Sequence, residues 1–252
     1  MDLGLQDRVY VVTGATRGLG FATAEQLVAE GARVVVSGRT EEAVSAAVDR
    51  LGGAQAAGVV ADNADPDAAE RLMAAATSRF GRFDGILISV GGPPAGPAGS
   101  ITDEQWRSAF ESVFLGAVRL ARTAAGRLSE GGVIAFVLSG SVHEPIPGLT
   151  ASNGLRPGLA GFAKTLANEL GPQGVRVLGL LPGRIDTDRV RELDGLADDP
   201  EAARARSAAA IPLRRYGRPE EFGRTAAFVL SPAASFLTGV MLPVDGGARH
   251  GF

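Results

Sequence analysis

The sequence contains no cysteine, one tryptophan, two tyrosines, two histidines and a single lysine, Lys164, among its 252 residues. Without cysteine there is no disulfide, no thiolate nucleophile and no cysteine-held metal, and no metal site is expected. No uninterrupted apolar run approaches the roughly 18 residues of a membrane span. The start, MDLGLQDRVYVV, is acidic and runs into a short apolar stretch. A secretory signal needs a basic start and a longer apolar run, so the expected location is cytoplasmic. A net charge of −3 leaves no basic footprint for nucleic acid.

What the chain does have is glycine, 35 residues placed in turns rather than in a G-X-Y repeat. With 45% hydrophobic and 21% charged residues it reads as a soluble globular enzyme. A chain of this length predicts one domain over residues 1–252, able to bury roughly 70–75% of its unfolded surface without a staple.

Short apolar runs alternate with helix-like stretches. Strands are expected at Val9–Val12, Arg33–Ser37, Ala57–Val60, Gly85–Ile88, Val133–Leu138, Val175–Leu180 and near Val240–Pro243. Helical patterns cover Leu19–Glu30, Glu41–Leu51, Asp67–Phe80, Asp103–Leu128, Leu159–Leu170, about Asp188–Ala209 and Pro219–Leu230. This alternation predicts βαβ units and an α/β doubly wound, mostly parallel sheet of about seven strands, flanked by helices. The strand candidates are continuous β-branched runs, as expected when helices cover both faces. Ligands of such sheets bind beyond the carboxyl ends of the strands, so the loop Gly91–Ser100 (GGPPAGPAGS) is expected to border the site. A stiff surface connection is the alternative.

After the first strand comes Thr13-Gly14-Ala15-Thr16-Arg17-Gly18-Leu19-Gly20, opening into a helix. Between a strand and a helix, such a turn lets backbone N–H groups approach a pyrophosphate at the helix N-terminus. Gly14, Thr16, Arg17, Gly18, Leu19 and Gly20 are therefore the candidate phosphate-binding residues of a nicotinamide dinucleotide. At the end of the second strand an NAD site wants a carboxylate for the ribose hydroxyls. Here Gly38 stands in that place, followed by Arg39. Two guanidiniums, Arg17 and Arg39, suit a ribose phosphate, which points to NADP(H). Asp62, after the third strand, is a candidate adenine partner or simply a turn aspartate.

TGATRGLG, PGRIDT at Pro182–Thr187, RYGRPEE at Arg215–Glu221 and FLTG…VDGG at Phe236–Gly247 together resemble the short-chain dehydrogenase/reductase family. The resemblance covers essentially the whole chain, in order. It implies a Rossmann domain, nicotinamide chemistry on small carbonyl or hydroxyl compounds, and a homotetramer or homodimer. Pro182, Gly183, Ile185 and Thr187 resemble the segment that cups the nicotinamide. RYGRPEE and VDGG fit a structural role at least as well.

The catalytic positions depart from the family. Its asparagine, serine, tyrosine and lysine, the last two as Y-x-x-x-K, fall on Val113, Ser139, Ser152 and Arg156. A thirteen-residue interval before Ser152 favours Ser139 over Ser141. Tyr10 and Tyr216 lie elsewhere, and Lys164 stands two helical turns past Arg156, so no shift of alignment restores the pair. Pro157 predicts that regular helix begins close to it, with Ser152–Arg156 in a looser lead-in turn. Arginine does not deprotonate, yet it holds a ribose or stabilises an oxyanion. Ser139 and Ser152 are candidates to orient a carbonyl or a water. His143, with an ordinary pKa of about 6.5, is a candidate proton source; a solvated loop histidine is the plainer reading. Arg189, Arg191, Asp194 and Asp198 read as a solvated helix face.

Three functions follow: an NADP(H)-dependent reductase of a small carbonyl compound with an altered proton donor; a dehydratase, isomerase, cyclase or lyase on the same scaffold; or an NADP(H)-binding protein without turnover.

Overall fold

The computed structural model describes residues 2–251; Met1 and Phe252, the ends of the expected 1–252 domain, lie outside them. Seven strands form one all-parallel sheet: β1 Val9–Val12, β2 Arg33–Gly38, β3 Ala56–Val60, β4 Gly85–Ile88, β5 Val133–Val137, β6 Arg176–Pro182 and β7 Met241–Val244. Their spatial order is β3-β2-β1-β4-β5-β6-β7, the doubly wound, Rossmann-type arrangement with its reversal between β1 and β4. Strands β1, β4 and β5 are buried along their whole length, as helices on both faces require, whereas the edge strand β3 alternates between covered and exposed positions.

One face carries α1 Gly18–Ala29, α2 Glu41–Arg50 and α9 Pro219–Leu230. The other carries α3 Ala68–Phe80, α4 Asp103–Ala109, α5 Gly116–Ala125 and α6 Thr150–Leu170. Two smaller helices, α7 Asp188–Asp194 and α8 Pro200–Ala210, follow β6. Two apolar clusters result, one on each face of the sheet, with Phe21, Leu27 and Phe222 in the first and Leu72, Leu120 and Leu159 in the second.

Three helices differ from their sequence pattern. The continuous Asp103–Leu128 pattern contains a π-helical segment, Phe110–Leu115, between α4 and α5. It ends where Gly116 presses against the backbone carbonyl of Asn63, a contact that leaves no room for a Cβ. The Asp188–Ala209 pattern divides into α7 and α8 because Pro200 drives Asp199 into an extended conformation. Asp199 then caps α8, its carboxylate accepting from the Ala202 N–H at 3.0 Å.

Helix α6 is the third correction. Regular helix starts at Thr150, seven residues before Pro157, so Ser152 and Arg156 lie in the helix and not in a loose turn. Proline removes the bond to the Asn153 carbonyl, and tertiary bonds hold the leading turn in its place. The Asn153 amide side chain accepts from the Ile146 N–H at 3.0 Å and donates to the Ile146 carbonyl at 2.9 Å. Arg156 donates to the Val137 carbonyl at 2.7 Å.

Candidate functional site

The carboxyl ends of β1, β2, β4, β5 and β6 border a cleft of two joined sections, about 500 and 570 Å³. Gly14, Arg17, Arg39 and the segment Ser89–Gly92 line both sections. The glycine turn is stitched to β4 by Thr13, whose hydroxyl donates to the Ser89 carbonyl at 2.6 Å and accepts from the Ser89 N–H at 2.9 Å. Gly14, at φ 56°, approaches that carbonyl so closely that a Cβ would stand 2.9 Å from it. A Cβ on Gly20 would stand 2.6 Å from the Gly14 carbonyl. These approaches keep the start of α1 against the turn. No side chain caps α1. Its first N–H groups, including those of Gly18, Leu19 and Gly20, therefore face the cleft as an anion site with the helix dipole behind them. This is a cradle that fits a pyrophosphate.

Arg17 and Arg39 stand on its rim, both exposed. Arg17 forms a 3.4 Å ion pair with Asp188 of α7, across the cleft. Arg39 makes no hydrogen bond or ion pair among the described residues. Gly38 lies directly on the methyl group of Thr16, so a carboxylate side chain at position 38 would collide with the turn. Asp62 lines the second section, but one carboxylate oxygen already accepts the Ala64 N–H at 2.9 Å, the turn role weighed from sequence. Buried Asn63, which sequence reasoning passed over, donates to the Ser89 carbonyl at 3.3 Å.

At the other end, Pro182, Gly183, Ile185 and Thr187 line the first section. Gly183 has Asp245 2.6 Å from where a Cβ would be. Ile185 bridges to Gly217 of the RYGRPEE run, and Thr187 caps α7 by accepting from the Val190 N–H. The loop after β4 forms one wall through Gly91, Gly92, Pro93 and Pro94. Arg189, on α7, closes over it with a 2.8 Å bond to the Pro93 carbonyl.

Ser152 and Arg156 are buried on one face of α6, and Arg156 reaches the cleft floor. It is buried, with one hydrogen bond to protein and no carboxylate partner among the described residues. Burial, helped by the charge of Arg189, pulls its pKa down to about 10. It stays cationic at neutral pH.

The two candidate serines, Ser139 and Ser141, are placed differently. Ser139 caps a short 3₁₀ turn, Gly140–Val142, its hydroxyl accepting the Ser141 N–H at 3.1 Å. That turn carries Ser141, not Ser139, to Ser152, hydroxyl to hydroxyl at 3.1 Å. Sequence spacing misses a turn that shifts the facing residue by two. His143 is exposed and does not line the cleft; partial desolvation and the charge of Arg249 lower its pKa. The structure does not bring it to Arg156. Val113, in the π segment, is buried along the second section.

Asp194 is not on a solvated face. It is buried, accepting from Arg184 at 2.7 Å and from the Tyr216 hydroxyl at 3.1 Å, and it locks α7 to the RYGRPEE run. Among the described residues no group of three or more His, Asp or Glu is placed to hold a metal ion, and no helix is long and apolar enough to cross a membrane.

A Rossmann sheet with a glycine cradle at its reversal point defines a dinucleotide-type α/β protein. A family model described as enoyl-(acyl carrier protein) reductase matches residues 14–249. The short-chain reductase protein NovJ of Streptomyces niveus is 36% identical over 249 residues, covering 96% of this chain and 94% of the relative. A solved short-chain dehydrogenase/reductase from Brucella melitensis superposes with a TM-score of 0.92 at 30% identity, covering 100% of both chains. L-sorbose reductase from Gluconobacter frateurii, solved with NADPH and L-sorbose, gives a TM-score of 0.90 at 28% identity over 100% of both. The chain belongs to the short-chain dehydrogenase/reductase family and is an oxidoreductase of that type, working with a nicotinamide cofactor.

Proposed function

We propose that the protein is an NADPH-dependent reductase of a small carbonyl compound, in which a fixed arginine charge does what a tyrosine–lysine pair does elsewhere in the family. The observation that carries this is Arg156: buried, cationic and presented at the cleft floor with a single protein hydrogen bond. The cradle at Gly18–Gly20 would hold the pyrophosphate. Arg39, unpaired among the described residues, would take the ribose phosphate together with Arg17 once Arg17 leaves Asp188. Pro182, Gly183, Ile185 and Thr187 would shape the nicotinamide end. NADPH supplies the hydride to the carbonyl carbon.

As the carbonyl oxygen gains negative charge, the Arg156 guanidinium donates to it in a desolvated place, where such bonds count most. Ser152 holds no readily released proton, because a serine hydroxyl is far less acidic than a tyrosine, and its oxygen is engaged by Ser141. Water entering the open cleft supplies the proton. Ser141 and Ser152 keep the Arg156 turn in place. By family resemblance the reaction takes place in a homo-oligomer, which light scattering would measure.

The test has two arms. Titration of the protein with NADPH and with NADH is expected to show tighter binding of NADPH. Oxidation of NADPH against aldehydes, ketones, quinones and diketones is expected to show turnover. NADPH binding with no turnover on any of them overturns the reductase reading.

A further inference from the structure

We infer that the carbonyl substrate is itself an anion, an oxo acid, whose carboxylate is held by Arg189 while its carbonyl oxygen faces Arg156. This rests on the reductase reading above and names the substrate class of the same cleft.

The inference starts from charge. Four arginines line the section of the cleft that contains the nicotinamide end: Arg17, Arg39, Arg156 and Arg189. Two carboxylates line it with them, Asp188 and Glu192. Asp188 is already paired with Arg17 and, at 3.0 Å, with Arg191. Glu192 touches Arg189 only at 3.6 Å, at a half-exposed position. The acidic groups are therefore fewer than the guanidiniums and sit towards solvent, while the deepest cation has none. Arg17 and Arg39 lie against the glycine turn, where a dinucleotide's phosphates neutralise them. Arg156 and Arg189 lie outside the glycine turn and line the cleft with the loop after β4 and the ends of β5 and β6.

Arg156 is buried near enough to Arg189 for that second charge to add to the cost of its own. Two guanidiniums lining one cleft, one of them buried and the other half-buried, favour an anion between them. The wall is also built for Arg189. Gly92 leaves the room its guanidinium occupies, a Cβ there standing 2.6 Å from Nε. The Pro93 carbonyl fixes Nη2 at 2.8 Å. Held so, the guanidinium keeps further donors for the planar, bidentate grip of a carboxylate. In the reaction a bound NADPH would supply the hydride of the new C–H bond, the carbonyl π pair would become an alkoxide beside Arg156, and water would protonate it and release hydroxide to the solvent. A hydroxy acid and NADP⁺ leave, and the carboxylate is unchanged.

The experiment uses the NADPH-loaded protein. 2-Oxobutanoate and phenylpyruvate are compared with their methyl esters in wild type, Arg189→Met and Arg189→Lys, and oxamate binding is measured by calorimetry. Wild type is expected to favour acids over esters in kcat/KM by about 10–100-fold, the value of one charge-assisted contact. Arg189→Met is expected to raise KM for the acids far more than for the esters, so that the preference collapses, and to lose oxamate binding. Arg189→Lys is expected to restore part of it.

Equal use of acids and esters by wild type, or an equal loss for both in Arg189→Met, overturns the inference while the reductase reading stands. Oxamate binding that depends on Arg189, without turnover of any carbonyl, supports the anion site and removes the reductase reading. Neither binding nor turnover overturns both.

Discussion

Among the described residues two arginines are buried, and they are used in opposite ways. Arg176, at the start of β6, donates to the carbonyls of Val229, Leu230, Ser231 and Leu237, at 2.8, 3.4, 3.0 and 3.3 Å. Those carbonyls end α9 and the turn after it, so the guanidinium satisfies the last acceptors of a helix and ties it to the sheet. Arg156 has one carbonyl partner, and its remaining donors face a cleft. Burial lowers the pKa of both. What separates a structural cation from a functional one here is where the unspent donors point.

The largest effect that would break this contrast is at Arg156. Arg156→Met is expected to lower kcat by about 10²–10³-fold, the loss of one oxyanion donor, with a smaller loss of stability, about 1–2 kcal/mol, from its bond to the Val137 carbonyl. A small kcat effect together with a large loss of stability would make Arg156 a second Arg176. The reciprocal variant, Arg176→Met, leaves the Val229 and Leu237 carbonyls without their side-chain donor, while Leu230 and Ser231 keep bonds from the Tyr10 hydroxyl and the Ala234 N–H, and is expected to cost about 3 kcal/mol of stability. Denaturant unfolding checks it, and NADPH affinity should hold.

Next in size is the rim of the cleft. Arg39→Ser is expected to weaken NADPH binding by about 10–100-fold and to leave NADH binding unchanged. An equal loss for both cofactors would place Arg39 on the pyrophosphate instead.

The smallest effect concerns a carboxylate far from the cleft floor. Glu221 is gripped by Arg215 at 2.7 and 2.8 Å and accepts the Arg218 N–H at 2.7 Å, which brings its pKa down to about 2. A depressed carboxylate pKa stabilises the fold above its unfolded value and stops doing so as pH falls through the folded one. The Glu221 contribution is therefore complete above about pH 4.5 and fades towards about pH 2. In Glu221→Gln that part of the acid titration of stability should vanish, with turnover at neutral pH preserved.

The fold was largely readable because β-branched runs and glycine turns are local signals. The cradle was readable for the same reason, being contiguous from Thr13 to Gly20. Helix α6 was not, because Pro157 is a local stop signal overridden by distant partners, Ile146 and Val137. Ser141 was hidden by a 3₁₀ turn that no interval count reveals. Asp194 looked solvated because its partners, Arg184 and Tyr216, are on other segments. Residues whose role depends on tertiary neighbours were the ones sequence left open, and the altered end of the cleft is made of such residues.

The central claim is that a fixed charge, rather than a titrating side chain, serves the carbonyl oxygen. The most direct measurement is the pH dependence of kcat at saturating NADPH and carbonyl substrate. Arg156 keeps its proton well past neutrality, and Ser152 has none to give there, so kcat is expected to stay flat between about pH 6 and pH 9. A bell or a single steep fall in that range, erased by His143→Phe, would contradict the account and return the proton to a side chain.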